Sequence, residues 1–178
     1  MPPIHRRACL QGAGAFCLAS LGVAPVLAQT PPASEAKAPP LPPLGSPLAV
    51  PPVPLLDGGQ FDPASADGQV LVLYWWASWC PFCAVVSPQM DKLWREQAPR
   101  GLKFLGLSID KKADDATAYL HKRGYGFPST WVSPALAKAL PKPKGLPVTL
   151  VRGRDGQVVM AEAGQLFPED VADIARFL

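Results

Sequence analysis

Val70 to Trp76 is an unbroken apolar run of strand length, the pattern of a strand covered on both faces. Leu102 to Ile109 repeats it. Between them, Pro81 to Gln97 carries apolar positions at helical spacing, interrupted by Pro88, and predicts a helix that opens on a proline. Ala113 to Arg123 predicts a second helix, closed by Gly124. Leu55-Leu56 and Gly59-Gln60-Phe61 flank Asp57-Gly58 and predict a tight hairpin. Val148–Arg152 and Gln157–Met160 flank Arg154-Asp155-Gly156 and predict another. From Pro168 to Leu178 the apolar positions Val171, Ile174, Ala175 and Leu178 share one helical face. Strands alternating with helices, then a terminal hairpin and helix, predict an α/β layered domain.

Before residue 55 the pattern changes. Residues 1–28 read as an export signal: His5, Arg6 and Arg7 precede an apolar, small-residue stretch that ends at Val26-Leu27-Ala28, as signal peptidase requires. Cleavage after Ala28 and retention as an N-terminal anchor both fit. The adjacent arginines also fit a twin-arginine route. Neither Cys9 nor Cys17 has the surroundings of a lipidated cysteine. Residues 29–54 are a Pro/Ala-rich tract that includes Pro39-Pro40-Leu41-Pro42-Pro43. Prolines lack backbone donors and favour extended conformations, so the tract reads as a spacer, with the globular domain at 55–178.

Composition narrows the function classes. The 178 residues are 48% hydrophobic and 17% charged, enough for one ordinary core. The formal net charge is +3, and without Arg6 and Arg7 it falls to +1. A nearly neutral domain gives no electrostatic case for nucleic acid or anionic lipid. Membrane attachment then depends on retention of the N-terminal segment.

The candidate chemistry is Cys80-Pro81-Phe82-Cys83, placed directly after a buried strand and at the start of a helix. Helical spacing brings positions i and i+3 to one face, so the two sulfurs can join. The helix N-terminus offers unpaired N–H groups and a positive dipole end that stabilise a thiolate at Cys80. That thiolate is the species that attacks a disulfide; Cys83, one turn further in, is placed to resolve the mixed disulfide. A zinc site would need about four ligands, yet beyond the signal there is no second cysteine pair, and His121 is the sole histidine. His121, on a Lys/Arg-rich helix, reads as a surface residue. A purely structural disulfide would close a tiny loop and restrain the unfolded chain little. The expected site therefore needs no metal and no cofactor beyond the Cys80–Cys83 pair. Pro81 suits the first helical position, and Phe82 offers an apolar contact beside the sulfur.

Trp76-Ala77-Ser78-Trp79-Cys80-Pro81-Phe82-Cys83 resembles the active-site segment of thioredoxin-like proteins, and the chain is similar to the TlpA/ResA/CcmG group of exported thiol–disulfide oxidoreductases over residues 55–178. The resemblance rests also on the Leu56-Asp57-Gly58 turn, Pro88, Leu107-Ser108-Ile109-Asp110, Phe127-Pro128, Gly145-Leu146-Pro147-Val148-Thr149 and Arg154-Asp155-Gly156. It implies a thioredoxin-like fold: a central mixed sheet flanked by helices, an N-terminal β-hairpin extension and a helix–strand insert near Ala113–Leu140. It further implies that Pro147 is a cis-proline facing the dithiol, that the backbone at Leu146 pairs with a substrate strand, and that Trp79 contacts substrate. Its implied partners are protein disulfides or dithiols and a membrane thiol–disulfide electron donor. The implied setting is the periplasm, with apocytochrome c or copper-site proteins among the clients.

Departures from the group are equally specific. Tyr74 stands where thioredoxins have a buried acid, Val86 where ResA-like proteins have a glutamate, and Pro81-Phe82 replaces the usual X-Pro pair. Neither carboxylate is available to move a proton at Cys83. Three readings stay open: a reductant of particular protein disulfides, a DsbA-like oxidant using the same residues in reverse, and a copper carrier using both thiolates as soft ligands. Lys142 and Lys144 precede the Leu146-Pro147 loop, either raising its potential or simply solvated. A peroxidase of related fold would need a threonine ahead of its reactive cysteine, a pattern Ser78-Trp79-Cys80 lacks.

Overall fold

The structure, a computed structural model, describes residues 37–178. The export signal at 1–28 and the start of the Pro/Ala-rich tract lie outside the described residues. Among the described residues, no helix is long and apolar enough to cross a membrane.

A two-stranded antiparallel ribbon, β1 (Val53–Pro54) and β2 (Gln60–Phe61), precedes a five-stranded sheet. The sheet consists of β3 (Leu71–Trp76), β4 (Lys103–Ser108), β5 (Ser129–Trp131), β6 (Val148–Arg152) and β7 (Val158–Ala163), in the order β5-β4-β3-β6-β7. β3, β4 and β5 are mutually parallel, β6 runs antiparallel to β3, and β7 runs antiparallel to β6. The helices are α1 (Pro81–Gln97), α2 (Ala113–Arg123), α3 (Pro134–Ala139) and α4 (Pro168–Asp173).

β3 is central and every residue in it is buried, which accounts for its continuous apolar run. Strand alternation divides its side chains between two cores. Val72, Tyr74 and Trp76 enter one core together with Cys83, Val86 and Met90 of α1, Leu120 of α2 and Val171 of α4. Leu71, Leu73 and Trp75 enter the other with Leu136 of α3 and with Val50 and Val53. The element near Ala113–Leu140 supplies α2, the edge strand β5 and α3.

Four boundaries differ from the sequence pattern. The Asp57-Gly58 turn forms as expected, with Gly58 at φ 88° and Asp57 Oδ1 accepting from Gly59 N at 2.9 Å. The paired residues, however, are Val53 with Phe61 and Pro54 with Gln60; Leu56 instead donates its N–H to Ser129 O of β5, at 2.8 Å. The proline-rich tract is not spacer as far as Pro54. Pro39 O accepts from Lys144 N at 2.8 Å, Gly45 N donates to Val158 O at 2.8 Å and Leu48 N to Gly156 O at 3.0 Å. Prolines keep their carbonyl acceptors, and the residues between them keep donors, so an extended tract can still be held on a sheet edge. α1 runs unbroken through Pro88, whose ring is exposed while Cys83, Val86, Ser87 and Met90 anchor the opposite face. The last helix gives way after Asp173 to a 3-10 turn at Ile174–Phe177.

Candidate functional site

β3 delivers the chain to the C-terminal edge of its parallel neighbours, where Ala77-Ser78-Trp79 turns into α1. Cys80 caps that helix in an extended conformation (φ −84°, ψ 115°), and Pro81 occupies the first helical position. No N–H is lost there, because the first-turn donors lack helical partners anyway.

Cys80 and Cys83 are joined as a disulfide, with Cα atoms 5.2 Å apart. Cys83 N donates to Cys80 Sγ at 3.1 Å. A first-turn amide therefore points at the sulfur that would carry the thiolate, and the helix dipole acts in the same direction. The two sulfurs differ in access: Cys80 is 4% exposed and Cys83 is wholly buried. Around them Trp79 and Phe82 stand out at 63% and 56% exposure. Val85, not singled out in the sequence, adds 54%. It lies one turn beyond Phe82, so the two share a solvent-facing side of α1; helical spacing from Phe82 is the signal that could have found it.

Leu146-Pro147 is a cis peptide. β3 and β6 are antiparallel with Trp75 opposite Val148, so this loop enters the sheet beside the end of β3 that leads to Cys80. Pro147 is buried and Leu146 half-buried. Lys142 Nζ donates to Pro143 O at 2.8 Å and to Gly145 O at 2.6 Å, which ties this lysine to the loop backbone. His121 is exposed on α2.

Beneath the cysteines the acid positions are filled as the sequence indicates. Val86 is buried and apolar. The phenol of Tyr74 lies 3.0 Å from Ser87 Oγ, both groups fully buried. Burial pushes the Tyr74 hydroxyl far above its ordinary range, so it stays protonated at any physiological pH and takes no proton from Cys83.

The sequence reading named one carboxylate, Asp110, only within the family resemblance and gave it no role at the site. Asp110, just past the end of β4, is 4% exposed. Its Oδ1 accepts from Ser78 N at 3.1 Å and Ser78 Oγ at 2.7 Å, and its Oδ2 accepts from Ser78 N at 3.2 Å and Ser108 Oγ at 2.8 Å. An acid at the carboxyl end of a parallel strand, where open α/β sheets place their ligands, was the available signal.

Among the described residues, no group of three or more His, Cys, Asp or Glu is placed to hold a metal. An apolar cavity of about 600 Å³ lies between the Pro51–Leu56 segment, β5 and α3, and neither cysteine lines it.

Comparison with known proteins adds the family. Residues 48–160 match the model of the AhpC/TSA family. The soluble secreted antigen MPT53 of Mycobacterium tuberculosis is 29% identical over 72 residues, 40% of each chain. In that match the chain spans about two fifths of the relative's length. The thiol-disulfide oxidoreductase ResA of Halalkalibacterium halodurans is 20% identical over 123 residues, 69% of this chain and 70% of its own. A thiol:disulfide interchange protein from Chlorobium tepidum, described as a thioredoxin family protein, superposes with a TM-score of 0.68 at 24% identity. That superposition covers 74% of this chain and 94% of the other, so this chain's five-stranded mixed sheet with flanking helices has the same fold as that protein. With the matched segment spanning more than half of its length, the chain belongs to the AhpC/TSA family and has a thioredoxin-like fold.

Proposed function

We propose that the protein is a thiol–disulfide oxidoreductase that works outside the cytoplasm and reduces particular protein disulfides. The observation that carries this reading is the asymmetric pair: a barely accessible Cys80 with an amide aimed at its sulfur, and a fully buried Cys83. The Cys80 thiolate attacks one sulfur of the client disulfide, forming a mixed disulfide and releasing the other client sulfur as a thiolate. Cys83 then attacks Cys80, releases the second client thiolate and leaves the Cys80–Cys83 disulfide. Two electrons have passed to the client, and an external dithiol, supplied by a membrane thiol–disulfide donor, restores the pair.

Trp79, Pro81 and Phe82 form the client-facing apolar rim in this reading. Leu146 pairs its backbone with an extended client segment, as in strand addition, and Pro147 offers no donor to compete. The relatives support the setting, since MPT53 is a soluble secreted antigen. So does a structure at 20% identity, described as a secreted disulfide oxidoreductase of Mycobacterium tuberculosis. Running the same steps backward would make the protein an oxidant.

Two measurements test the proposal. In growing cells, Cys83→Ser should accumulate mixed disulfides through Cys80, whereas Cys80→Ser should accumulate none; equal trapping by both sinks the nucleophile assignment. Glutathione equilibration of the purified protein, with the in-cell redox state of the pair, sets the direction. A mainly oxidised pair with a high potential would replace the reductant with an oxidant.

A further inference from the structure

We propose that Asp110 is a positioning residue for the dithiol, acting through Ser78 to hold the turn that presents Cys80. The proposal rests on thiol–disulfide exchange at Cys80 and adds a residue that neither the motif nor the relatives' names point to.

Four donor contacts converge on its carboxylate, all from Ser78 and Ser108. Its own backbone is held as well: Asp110 N donates to Ser108 Oγ at 3.1 Å, and the Trp131 indole N–H donates to Asp110 O at 2.7 Å. Asp110 is therefore anchored to β4 and β5, and it grips the segment two residues ahead of Cys80. Of the elements around the carboxylate, the turn at 77–79 and β5 carry no charge and β4 carries only Lys103, at its opposite end; Lys111 and Lys112, next along the chain, are exposed. Among the described residues, no cation pairs with it. Burying an acid on neutral donors alone is costly unless its hydrogen bonds are complete. Here they are complete, and they fall on the cysteine-bearing turn.

That turn determines the sulfur's environment. The Cys83 N–H reaches Cys80 Sγ only while Cys80 keeps its extended capping conformation. Freeing Ser78 loosens the approach to that cap, weakens the amide–sulfur contact and disfavours the thiolate. A charge effect has the opposite sign, because removing a nearby negative charge favours the thiolate.

The experiment measures the pH profile of Cys80 alkylation by iodoacetamide in the reduced full-length protein, together with the glutathione equilibrium. Leu140→Ala, a core truncation on the opposite face of the sheet, serves as a stability-matched control. Asp110→Ala is expected to move the profile upward and slow alkylation at pH 7 about fivefold, because only the thiolate reacts. Its equilibrium should move toward the disulfide in the same proportion. Asp110→Asn keeps an acceptor for Ser78 but no charge, and should return the rate to within about twofold of wild type. If Asp110→Ala does not fold, Ser78→Ala, which removes only the hydroxyl, should still slow alkylation about twofold. Downward shifts in both Asp110 variants, equal upward shifts in both, or profiles matching Leu140→Ala would overturn the proposal. A wild-type protein that fails to exchange with glutathione would remove the proposed activity itself. Exchange by wild type with unshifted variants removes only the role of Asp110.

Discussion

Tyr74 takes its hydroxyl into the core under α1, where it meets the hydroxyl of Ser87 at 3.0 Å. In the unfolded chain this phenol ionises near pH ~10, while burial keeps the native one protonated well beyond that. Above pH ~10 the unfolded state therefore binds fewer protons, and stability falls as pH rises; below it the contribution is intact. Urea denaturation of the oxidised protein should show this as a loss of up to about 1.4 kcal/mol per pH unit on the alkaline side. Tyr74→Phe should remove that share of the slope and leave the part due to Tyr125, which shifts in the same direction. An unchanged alkaline slope would mean that Tyr74 ionises freely in the folded state. At this scale Cys80 and Cys83 were legible from residue type and spacing, and the missing acids at Tyr74 and Val86 through the resemblance to thioredoxin-like proteins. The role of Asp110 was not, because its partner Ser78 lies 32 residues away in the chain.

α1 is joined to the turn after α2 by one partly buried carboxylate. Asp91 Oδ1 accepts from Gly126 N at 2.6 Å, and Oδ2 accepts from Arg95 Nε at 2.6 Å. Arg95 also reaches Gly124 O at 2.9 Å. The acid's side chain is 12% exposed against 57% for Arg95, so the two ends are not equivalent. Asp91→Ala leaves an amide unpaired and should cost about 1–3 kcal/mol in urea unfolding. Arg95→Ala removes a solvated cation and should cost less than about 1 kcal/mol. Equal losses would contradict this asymmetry. The sequence placed the ends of α1 at about Pro81 and Gln97, because a proline opening and a long apolar face are local features. It missed the continuity through Pro88, since the interior-proline cost of about 3 kcal/mol is outweighed by packing from other elements.

Across the whole molecule, the stretch from Pro39 to Pro54 is the clearest case of structure adding to pattern. Val50 and Val53 are buried in the core beneath β3, and the carbonyls and amides around them pair with β7 and neighbouring loops. Two chains, one starting at Ala38 and one at Leu55, should therefore differ in unfolding free energy by roughly 3 kcal/mol or more, at about 1.5–3 kcal/mol per buried valine. Indistinguishable midpoints would show that this stretch adds nothing to the fold.

The sequence by itself determined the alternation of strands and helices and the dithiol at a helix start. Each depends on neighbours within a turn or a strand length. Only the tertiary structure decided where the proline-rich tract packs, that Leu56 pairs with β5, and that Asp110 reaches Ser78. Those contacts join residues far apart in the chain, and hydrogen bonding and burial select them only once the sheet has brought its strand ends together.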